Sequence, residues 1–311
     1  MYERSGTFYF VDHEGKWINL GRSYGRAIEQ YNNFNEEHSE IHTIDDLLDR
    51  YLKEVSPTKA PTTHKTNIRQ SQFLRAAFGS MRPGELTPRA IYMYMDARKA
   101  KVRANRELAL LSHMFRKAIR WGVVDTNPCI GIERNPEKPR DRYVEDWEYV
   151  AFKETVEPWM AAYMDLKLLT GLRQGDMLSL TIDQLKKDGI HILVSKTQKQ
   201  IIIRWSDHLR AAVRAAVEAK TTYKAKESNH LFCTRRGDQY SADGFRSIWH
   251  RRMVKAVEKG VLEERFREHD LRAKTGSDTD LEHAKNLLSH SDGKTTQRHY
   301  RRRAEIVEPL R

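Results

Sequence analysis

The sequence predicts a multidomain protein with three parts: a small N-terminal β-sheet plus helix module, an all-α domain, and an α+β domain that is mainly helical with a small antiparallel sheet. Three observations support this fold class. The 311 residues are enough for two or three domains. Alternating apolar and polar residues near the N-terminus give way to helical periodicity. Strand-like runs reappear only beyond a proline-containing break. We place the domains at 1–40, 41–133 and 143–311, with a linker at 134–142.

The first domain begins with GTFYFVDHEGKWINLG, in which apolar and polar residues alternate on either side of the turn-forming DHEG. This pattern predicts a short hairpin with Phe8, Phe10 and Trp17 as its packing residues. The RSYGRAIEQYNNF that follows is helix-like. Because a module of about 40 residues buries little surface, we expect it to need a partner or the rest of the chain for rigidity.

Helical patterns fill the second domain. Thr43 is a candidate N-cap for TIDDLLDRYLKEV. Thr87 is a candidate N-cap for LTPRAIYMYMDARK, in which Pro88 takes the first helical position. The segment ANRELALLSHMFRKAIRWG predicts a strong amphipathic helix that ends at Gly122. Its apolar stripe comprises Leu108, Leu111, Phe115 and Ile119, and its cationic face comprises Arg106, Arg116, Lys117 and Arg120.

The third domain follows RNPEKPRDR, whose two prolines among charged residues predict an interdomain linker. Beyond it, AAYMDLKLLTG predicts a buried helix. Three strand-like runs come next, LSLTIDQL, GIHILVS and KQIIIRW, which are joined by KKDGIH and KTQK. Helices are expected from there to the C-terminus.

The charge balance narrows the class of partner. The formal net charge is +12, with 32% charged residues spread along the whole chain, which favours a polyanion such as nucleic acid over a merely solubilising surface. Cys129 and Cys233 lie far apart without a CxxC or Cys/His spacing, so neither a zinc site nor a disulfide framework is indicated. Since no apolar run suggests a membrane span and the N-terminus lacks a signal-peptide core, we expect a cytoplasmic protein without a membrane partner.

Residues that could carry chemistry concentrate in the third domain. Each has an ordinary alternative when taken alone, such as a salt bridge for an arginine, a core position for a histidine or a surface turn for a lysine. The tyrosine is the exception, because SHSDGKTTQRHYRRRAE surrounds it with cations that resist burial. It is either an exposed aromatic residue on a helix that lies on an anionic partner or a nucleophile whose target is an anion. The candidates are Arg173, Lys196, His269, Arg272, His290 and Tyr300.

Taken together and in this order, the candidates resemble the motif of the tyrosine recombinase family, also called phage integrases. That family has an arginine in TGLRxxE/D, a lysine in a β-turn, an HxxR pair, a histidine in LLGH and a tyrosine shortly after it. Here TGLRQGD carries Arg173 and Asp176, EHDLR carries His269 and Arg272, and LLSH has Ser289 where glycine is usual. Upstream, the helical domain resembles the core-site-binding domain of lambda-type integrases, and the N-terminal module resembles their arm-site-binding sheet.

The resemblance implies a site-specific DNA recombinase, a phage or mobile-element integrase that acts through a 3′-phosphotyrosine and a Holliday junction. Its expected partners are double-stranded DNA with core-type and arm-type attachment sites, further copies of itself in a homotetramer on DNA, and accessory DNA-bending or excision factors. No cofactor or metal ion is expected, because the energy of the broken bond is retained in the phosphotyrosine and arginines neutralise the phosphate. The expected location is the bacterial cytoplasm, in association with the nucleoid.

The resemblance also assigns roles. Tyr300 is the expected nucleophile, which explains why its neighbours are cations, since its target is a phosphate. Arg173 and Arg272 are expected to neutralise the pentavalent transition state with permanently ionised donors. Lys196 is the expected general acid for the leaving 5′-oxygen. His269 is expected to accept the phenol proton or hold the phosphate, and the remaining supporting roles fall to His290 on a non-bridging oxygen and Asp176 as an orienting carboxylate.

Two other functions remain open on sequence grounds. A non-cleaving DNA-binding regulator would use the same folds, although it predicts an incomplete set of catalytic residues. Strand relaxation of the type IB topoisomerase kind would use the same chemistry without site preference, although the separate N-terminal module argues for action at defined sites.

Overall fold

The computed structural model describes residues 1–11, 15–37, 41–222, 226–289, 292–303 and 309–310, and the predicted catalytic residue His290 lies outside these ranges. The chain forms two compact units, Met1–Glu137 and Lys138–Arg311. The predicted fold class is confirmed, since the structure is mostly helical with small antiparallel sheets. The predicted division of the first unit at residue 40 stays a prediction.

The N-terminal part of the first unit is an antiparallel sheet in the order β1, β2, β3, followed by helix α1. On one face, Phe8 and Phe10 contact tyrosines of α1, with ring centroids 5.5 and 5.4 Å apart. Trp17 packs on the opposite face, where its ring centroid lies 5.5 Å from that of Tyr2 and 6.0 Å from that of Tyr9, and the Arg4 guanidinium lies 4.4 Å from it. It remains 45% exposed because no described helix of the first unit covers that face. The elements are β1 (Tyr2–Arg4), β2 (Thr7–Val11), β3 (Trp17–Gly21) and α1 (Tyr24–Glu37).

Helices make up the rest of the first unit. The predicted N-caps are confirmed, because Thr43 accepts from the backbone N–H of Asp46 and Thr87 accepts from that of Ala90. The longest helix, α5, carries the predicted apolar stripe, of which all members are buried except Ile119, which is 40% exposed. The helices are α2 (Ile44–Arg50), which continues as a π-helical turn at Tyr51–Val55, α3 (Pro61–Phe78), α4 (Pro88–Ala97) and α5 (Lys101–Arg120).

The second unit packs helices around an aromatic core that includes Phe152, Tyr163, Phe245, Trp249 and Phe266. Tyr163 and Phe245 are in close contact, with ring centroids 4.5 Å apart. Its elements are α6 (Asp146–Glu154), α7 (Pro158–Thr170), α8 (Gln174–Leu178), β4 (Gly189–Val194), β5 (Lys199–Arg204), α9 (Asp207–Thr222), α10 (Ala242–Glu258), α11 (Glu268–Ser277), α12 (Leu281–Leu287) and α13 (Gly293–Tyr300).

Two of the three strands predicted here are confirmed. GIHILVS and KQIIIRW form the antiparallel pair β4–β5, in register from Gly189↔Arg204 to Val194↔Lys199. The prediction of a strand at LSLTIDQL is wrong. The N–H of Thr181 donates to Gln184 Oε1 at 2.8 Å, and this capping interaction stabilises a 3₁₀ turn at Ile182–Gln184. A local side-chain bond therefore prevails over the apolar alternation of the segment.

None of the described helices is both long enough and apolar enough to cross a membrane.

Candidate active site

The first candidate residue, Arg173, lies at a sharp change of chain direction. Helix α7 ends at Gly171, which has φ of +60°, and Arg173 is the half-buried residue that precedes α8. A Cβ on Gly171 would lie 2.7 Å from the Leu288 side chain. Glycine is therefore required both for the left-handed backbone and for close packing against the segment that leads to His290.

Arg272 ties this turn to the rest of the site. The residue is 1% exposed on α11, and its guanidinium donates to the carbonyl oxygens of Gly171 and Leu288, the latter at 2.7 Å. Burial and the neighbouring positive charge of Arg173 lower the pKa of Arg272, although an arginine stays protonated at any physiological pH. Arg173 and Arg272 therefore place two positive charges beside the turn between α7 and α8.

Tyr300, the last residue of α13, faces the same place. The Arg272 Cζ lies 5.3 Å from the centroid of the tyrosine ring, and the phenol oxygen lies 3.4 Å from Nε2 of His269. The Tyr300 backbone carbonyl accepts from Ser277 Oγ at 2.8 Å. The structure therefore brings the predicted nucleophile, one predicted base and one predicted phosphate ligand into contact.

The environment of His269 keeps its imidazole neutral. The residue is exposed in part, but desolvation of the imidazole by the surrounding protein lowers its pKa to about 4. The charges of Lys167, Arg272 and Arg302 act in the same direction, and Glu268 opposes the shift. A neutral imidazole can accept the phenol proton, whereas an imidazolium cannot. The geometry and the charge state both suit a proton acceptor.

We expect the His269 signal of the free protein to titrate with a midpoint near pH 4 when followed by NMR, with His269→Gln used to assign the signal. Because the folded-state pKa is below the unfolded value, the neutral form stabilises the fold fully above about pH 6.5, and this stabilisation is lost as the pH falls towards 4. A midpoint at or above the ordinary histidine value would contradict this description of the site.

Lys196 lies apart from this cluster. It is exposed on the turn between β4 and β5, and it makes no hydrogen bond or ion pair with the described part of the chain. The turn itself is tethered to the site, because Asp176 of α8 accepts from the backbone N–H of Ser195 at 3.0 Å. Asp176 is buried and lies three residues after Arg173. Its carboxylate therefore links the lysine turn to the arginine turn, which suits the predicted orienting role.

Ser289 precedes His290 in a strained conformation. Its φ is +51°, a left-handed value that is unfavourable for a residue with a Cβ. The residue is 4% exposed, and its Oγ has no hydrogen-bond partner among the described residues. This geometry accounts for the glycine that is usual at this position.

We expect Ser289→Gly to raise the free energy of unfolding by about 0.5–1 kcal/mol, because glycine adopts the left-handed conformation without steric cost. Urea unfolding would measure the change. Ser289→Ala is the control, since it removes the unpaired hydroxyl but keeps the Cβ and its strain. A glycine variant that is less stable than the alanine variant would disprove the interpretation.

Sequence analysis missed a buried network beneath the cluster. Lys167 of α7 is 0% exposed, and it forms a 2.6 Å ion pair with Glu268, which also accepts from the Tyr163 hydroxyl at 2.6 Å. Burial lowers the pKa of Lys167, and the glutamate opposes that shift. The lysine also donates to the carbonyl of Leu172, so the network fixes the turn before Arg173 against the start of α11. The available signal was Lys167 within AAYMDLKLLTG, a segment predicted to be a buried helix.

A second feature that sequence analysis missed is the close packing of Tyr300 on α11. A Cβ on Gly276 would lie 3.0 Å from the Cβ of Tyr300 and 3.0 Å from the side chain of Leu288. Any side chain at Gly276 would therefore push the predicted nucleophile away from Arg272. Nothing in the sequence pattern of α11 indicates this contact.

Among the described residues, no group of three or more His, Cys, Asp or Glu side chains is arranged to hold a metal ion. Of the residues predicted from sequence, the structure brings together Tyr300, His269 and Arg272, with Arg173 beside them. It places Lys196 on a tethered turn.

Comparison with known proteins places this site in a family. The sequence profile of the phage integrase family matches residues 145–305. A protein from Haemophilus influenzae described as an integrase/recombinase is 30% identical over 151 residues, which is 44% of this chain and 49% of that protein. The chain thus spans about half the length of this curated relative.

Two solved structures have the same fold. A lambda integrase dimer bound to a COC′ core site superposes with a TM-score of 0.71 at 20% identity, covering 99% of this chain and 97% of that one. A lambda integrase tetramer bound to a Holliday junction gives a TM-score of 0.67 at 20% identity, covering 94% and 95%. At this level of identity, the likeness establishes the fold alone.

Proposed function

The chain belongs to the phage integrase family, and we propose that it is a site-specific DNA recombinase that cleaves and rejoins DNA strands through Tyr300. The observation that carries the proposal is the position of the phenol, 3.4 Å from a histidine with a lowered pKa and over the guanidinium of a buried arginine. A tyrosine placed in this way is suited to attack an anion.

The proposed reaction is a transesterification. The phenol oxygen of Tyr300 attacks the phosphorus of a DNA phosphodiester while its proton passes to His269. Arg173 and Arg272 neutralise the charge on the non-bridging oxygens. The bond from phosphorus to the 5′-oxygen breaks, and a proton from Lys196 converts that oxygen to a hydroxyl. The product is a 3′-phosphotyrosine, and attack by a 5′-hydroxyl from another strand reverses the steps to rejoin the DNA.

The position of Lys196 fits this role. An exposed lysine on a turn between two strands can move towards a DNA strand without disturbing the core. The hydrogen bond from the Ser195 N–H to Asp176 holds this turn against α8, the helix that follows Arg173. His290 would supply a further hydrogen bond to the phosphate, as the family motif implies.

Assembly and partners belong to the same proposal. We infer that the protein acts as a homotetramer on core-type DNA sites, since lambda integrase is a dimer in its structure on a COC′ core site and a tetramer in its structure on a Holliday junction. The N-terminal sheet, with its exposed Tyr2, Trp17 and nearby Arg4, is suited to arm-type DNA. The proposal also includes a phage or mobile-element origin, accessory bending or excision factors, and association with the nucleoid.

Trapping on a suicide substrate tests the function. Nicked DNA from the attachment site should yield a covalent, SDS-stable complex, because the short strand released beside the nick diffuses away before religation. The regulator alternative predicts binding without a covalent complex on every site tried. Strand relaxation predicts a covalent complex on unrelated DNA as readily as on the attachment site. Family membership and the contacts of Tyr300 favour the recombinase over both the regulator and the strand-relaxing enzyme.

A further inference from the structure

The segment that follows the nucleophile is held by one buried carboxylate. Asp270, which is 1% exposed, accepts from the guanidinium of Arg302 at 2.7 Å. Arg302 is two residues beyond Tyr300, and its side chain is 7% exposed. An ion pair that is shielded from water in this way is screened far less than a surface pair, and removing one partner is costly.

The same carboxylate binds the segment at the start of the second unit. Nε and Nη2 of Arg140 both lie 3.0 Å from Asp270, and the carbonyl oxygen of Arg142 accepts from Arg302 at 3.0 Å. The backbone N–H of Arg267, the residue that caps the start of α11, donates to Asp270 at 2.8 Å. Residues from the predicted linker, from the HxxR helix and from the nucleophile segment therefore meet at one point.

The backbone around Tyr300 is held from the other side as well. Ser277 Oγ donates to the carbonyl of Tyr300 and accepts from the N–H of Arg302, at 2.8 Å in each case. Arg302 also donates to the carbonyl of His299 at 3.2 Å. Tyr300 thus lies between an anchored residue and α11, and the orientation of its ring depends on that anchor.

We propose that Arg302 is a positioning residue for the nucleophile: its ion pair with Asp270 holds Tyr300 against His269 and Arg272, and the linker contributes to this clamp through Arg140 and Arg142. The inference rests on the proposed function of Tyr300. It assigns Arg302 no contact with DNA, because the side chain is 7% exposed and its Nε and Nη1 donate to protein oxygens.

A matched pair of variants tests the proposal. Arg302→Met removes the guanidinium and keeps the length of the side chain. Arg303→Met removes the same charge from the next residue, which is exposed and makes no hydrogen bond or ion pair with described residues. In single-turnover cleavage with saturating enzyme, we expect Arg302→Met to slow adduct formation roughly 10²-fold, the loss that a misplacement of about 1 Å can cause. Arg303→Met should cleave at the wild-type rate, and the DNA dissociation constants of the two variants should match.

An external nucleophile separates positioning from phosphate activation. In a Tyr300→Phe background, hydrogen peroxide can attack the phosphorus and displace the 5′-hydroxyl. Adding Arg302→Met should leave this peroxide-dependent cleavage unchanged, because the phosphate ligands are intact. Equal rates for Arg302→Met and wild type in adduct formation, or a parallel loss of peroxide cleavage, would overturn the assignment.

Amide hydrogen exchange provides a readout that does not depend on catalysis. We expect faster exchange at residues 296–302 in Arg302→Met than in Arg303→Met. If the wild-type protein forms no adduct while this difference is present, the proposed function fails and the clamp stands. If exchange is the same in both variants, the clamp is rejected whatever the activity.

Discussion

Replacing Tyr300 by phenylalanine should abolish covalent attachment to DNA and leave DNA affinity nearly unchanged. The variant loses one hydroxyl, which is the attacking atom, and loses no contact that the proposed mechanism assigns to the phosphate. The ring stays over Arg272, so packing on α11 is preserved. The expected result is a normal binding curve by gel shift together with no SDS-stable complex on a nicked substrate.

Tyr240→Phe is the control for this experiment. Tyr240 is 8% exposed and stacks on Trp159 with ring centroids 5.1 Å apart, so it is a core residue and its variant should form the adduct. Tyr223, the other tyrosine considered as an alternative nucleophile, lies outside the described residues. Adduct recovered from Tyr300→Phe would remove Tyr300 from the role and direct attention to these two positions.

Replacing Lys196 by alanine should slow cleavage by about 10²–10⁴-fold, the range that general acid catalysis contributes, while binding changes little. An alkoxide leaves poorly without a proton, so the defect should lie in the departure of the 5′-oxygen. A substrate with sulfur at the 5′-bridging position should restore the rate, because a thiolate leaves without protonation.

Lys199→Ala is the matched control at the other end of the same turn. It is also exposed and removes an equal charge, so it should retain cleavage of the ordinary substrate. Arg302→Met, which displaces the nucleophile, should not be rescued by the bridging sulfur. If sulfur fails to rescue Lys196→Ala, the lysine contacts the phosphate and another group is the acid.

These experiments address different steps of one reaction. In the proposed reaction, Tyr300 forms the new bond, Lys196 protonates the leaving oxygen, and Arg302 acts on neither atom directly. The combination of adduct yield, sulfur rescue and peroxide cleavage therefore distinguishes attack, departure and positioning, although all three variants would appear equally inactive in a recombination assay.

Local interactions made much of this protein predictable from its sequence. The caps at Thr43 and Thr87, the end of α7 at Gly171 and the turn that carries Lys196 each depend on residues within a few positions of one another. The resemblance of the ordered motif residues to the family pattern singled out Tyr300, His269 and Arg272, and the structure brings these three side chains together.

The local sequence pattern was insufficient for two elements. Alternation in GTFYFVDHEGKWINLG assigns residues to faces of a sheet but does not say which face a helix will cover, and Trp17 lies on the uncovered one. The apolar alternation of LSLTIDQL was overridden by the bond between Thr181 and Gln184. In both cases the periodicity of apolar residues does not reveal the contact that decides the structure.

Only the tertiary structure decided how the site is supported. Arg272 bonds to Gly171 across 101 residues of sequence, and Asp270 binds Arg140 across 130 residues and Arg302 across 32. The sequence contains many arginines that could pair with a given carboxylate, and each surface pair is worth little. Folding buries a few of these pairs and leaves the rest in contact with water. The pairs that support the site are those that the packing of α7, α11 and α13 shields from solvent.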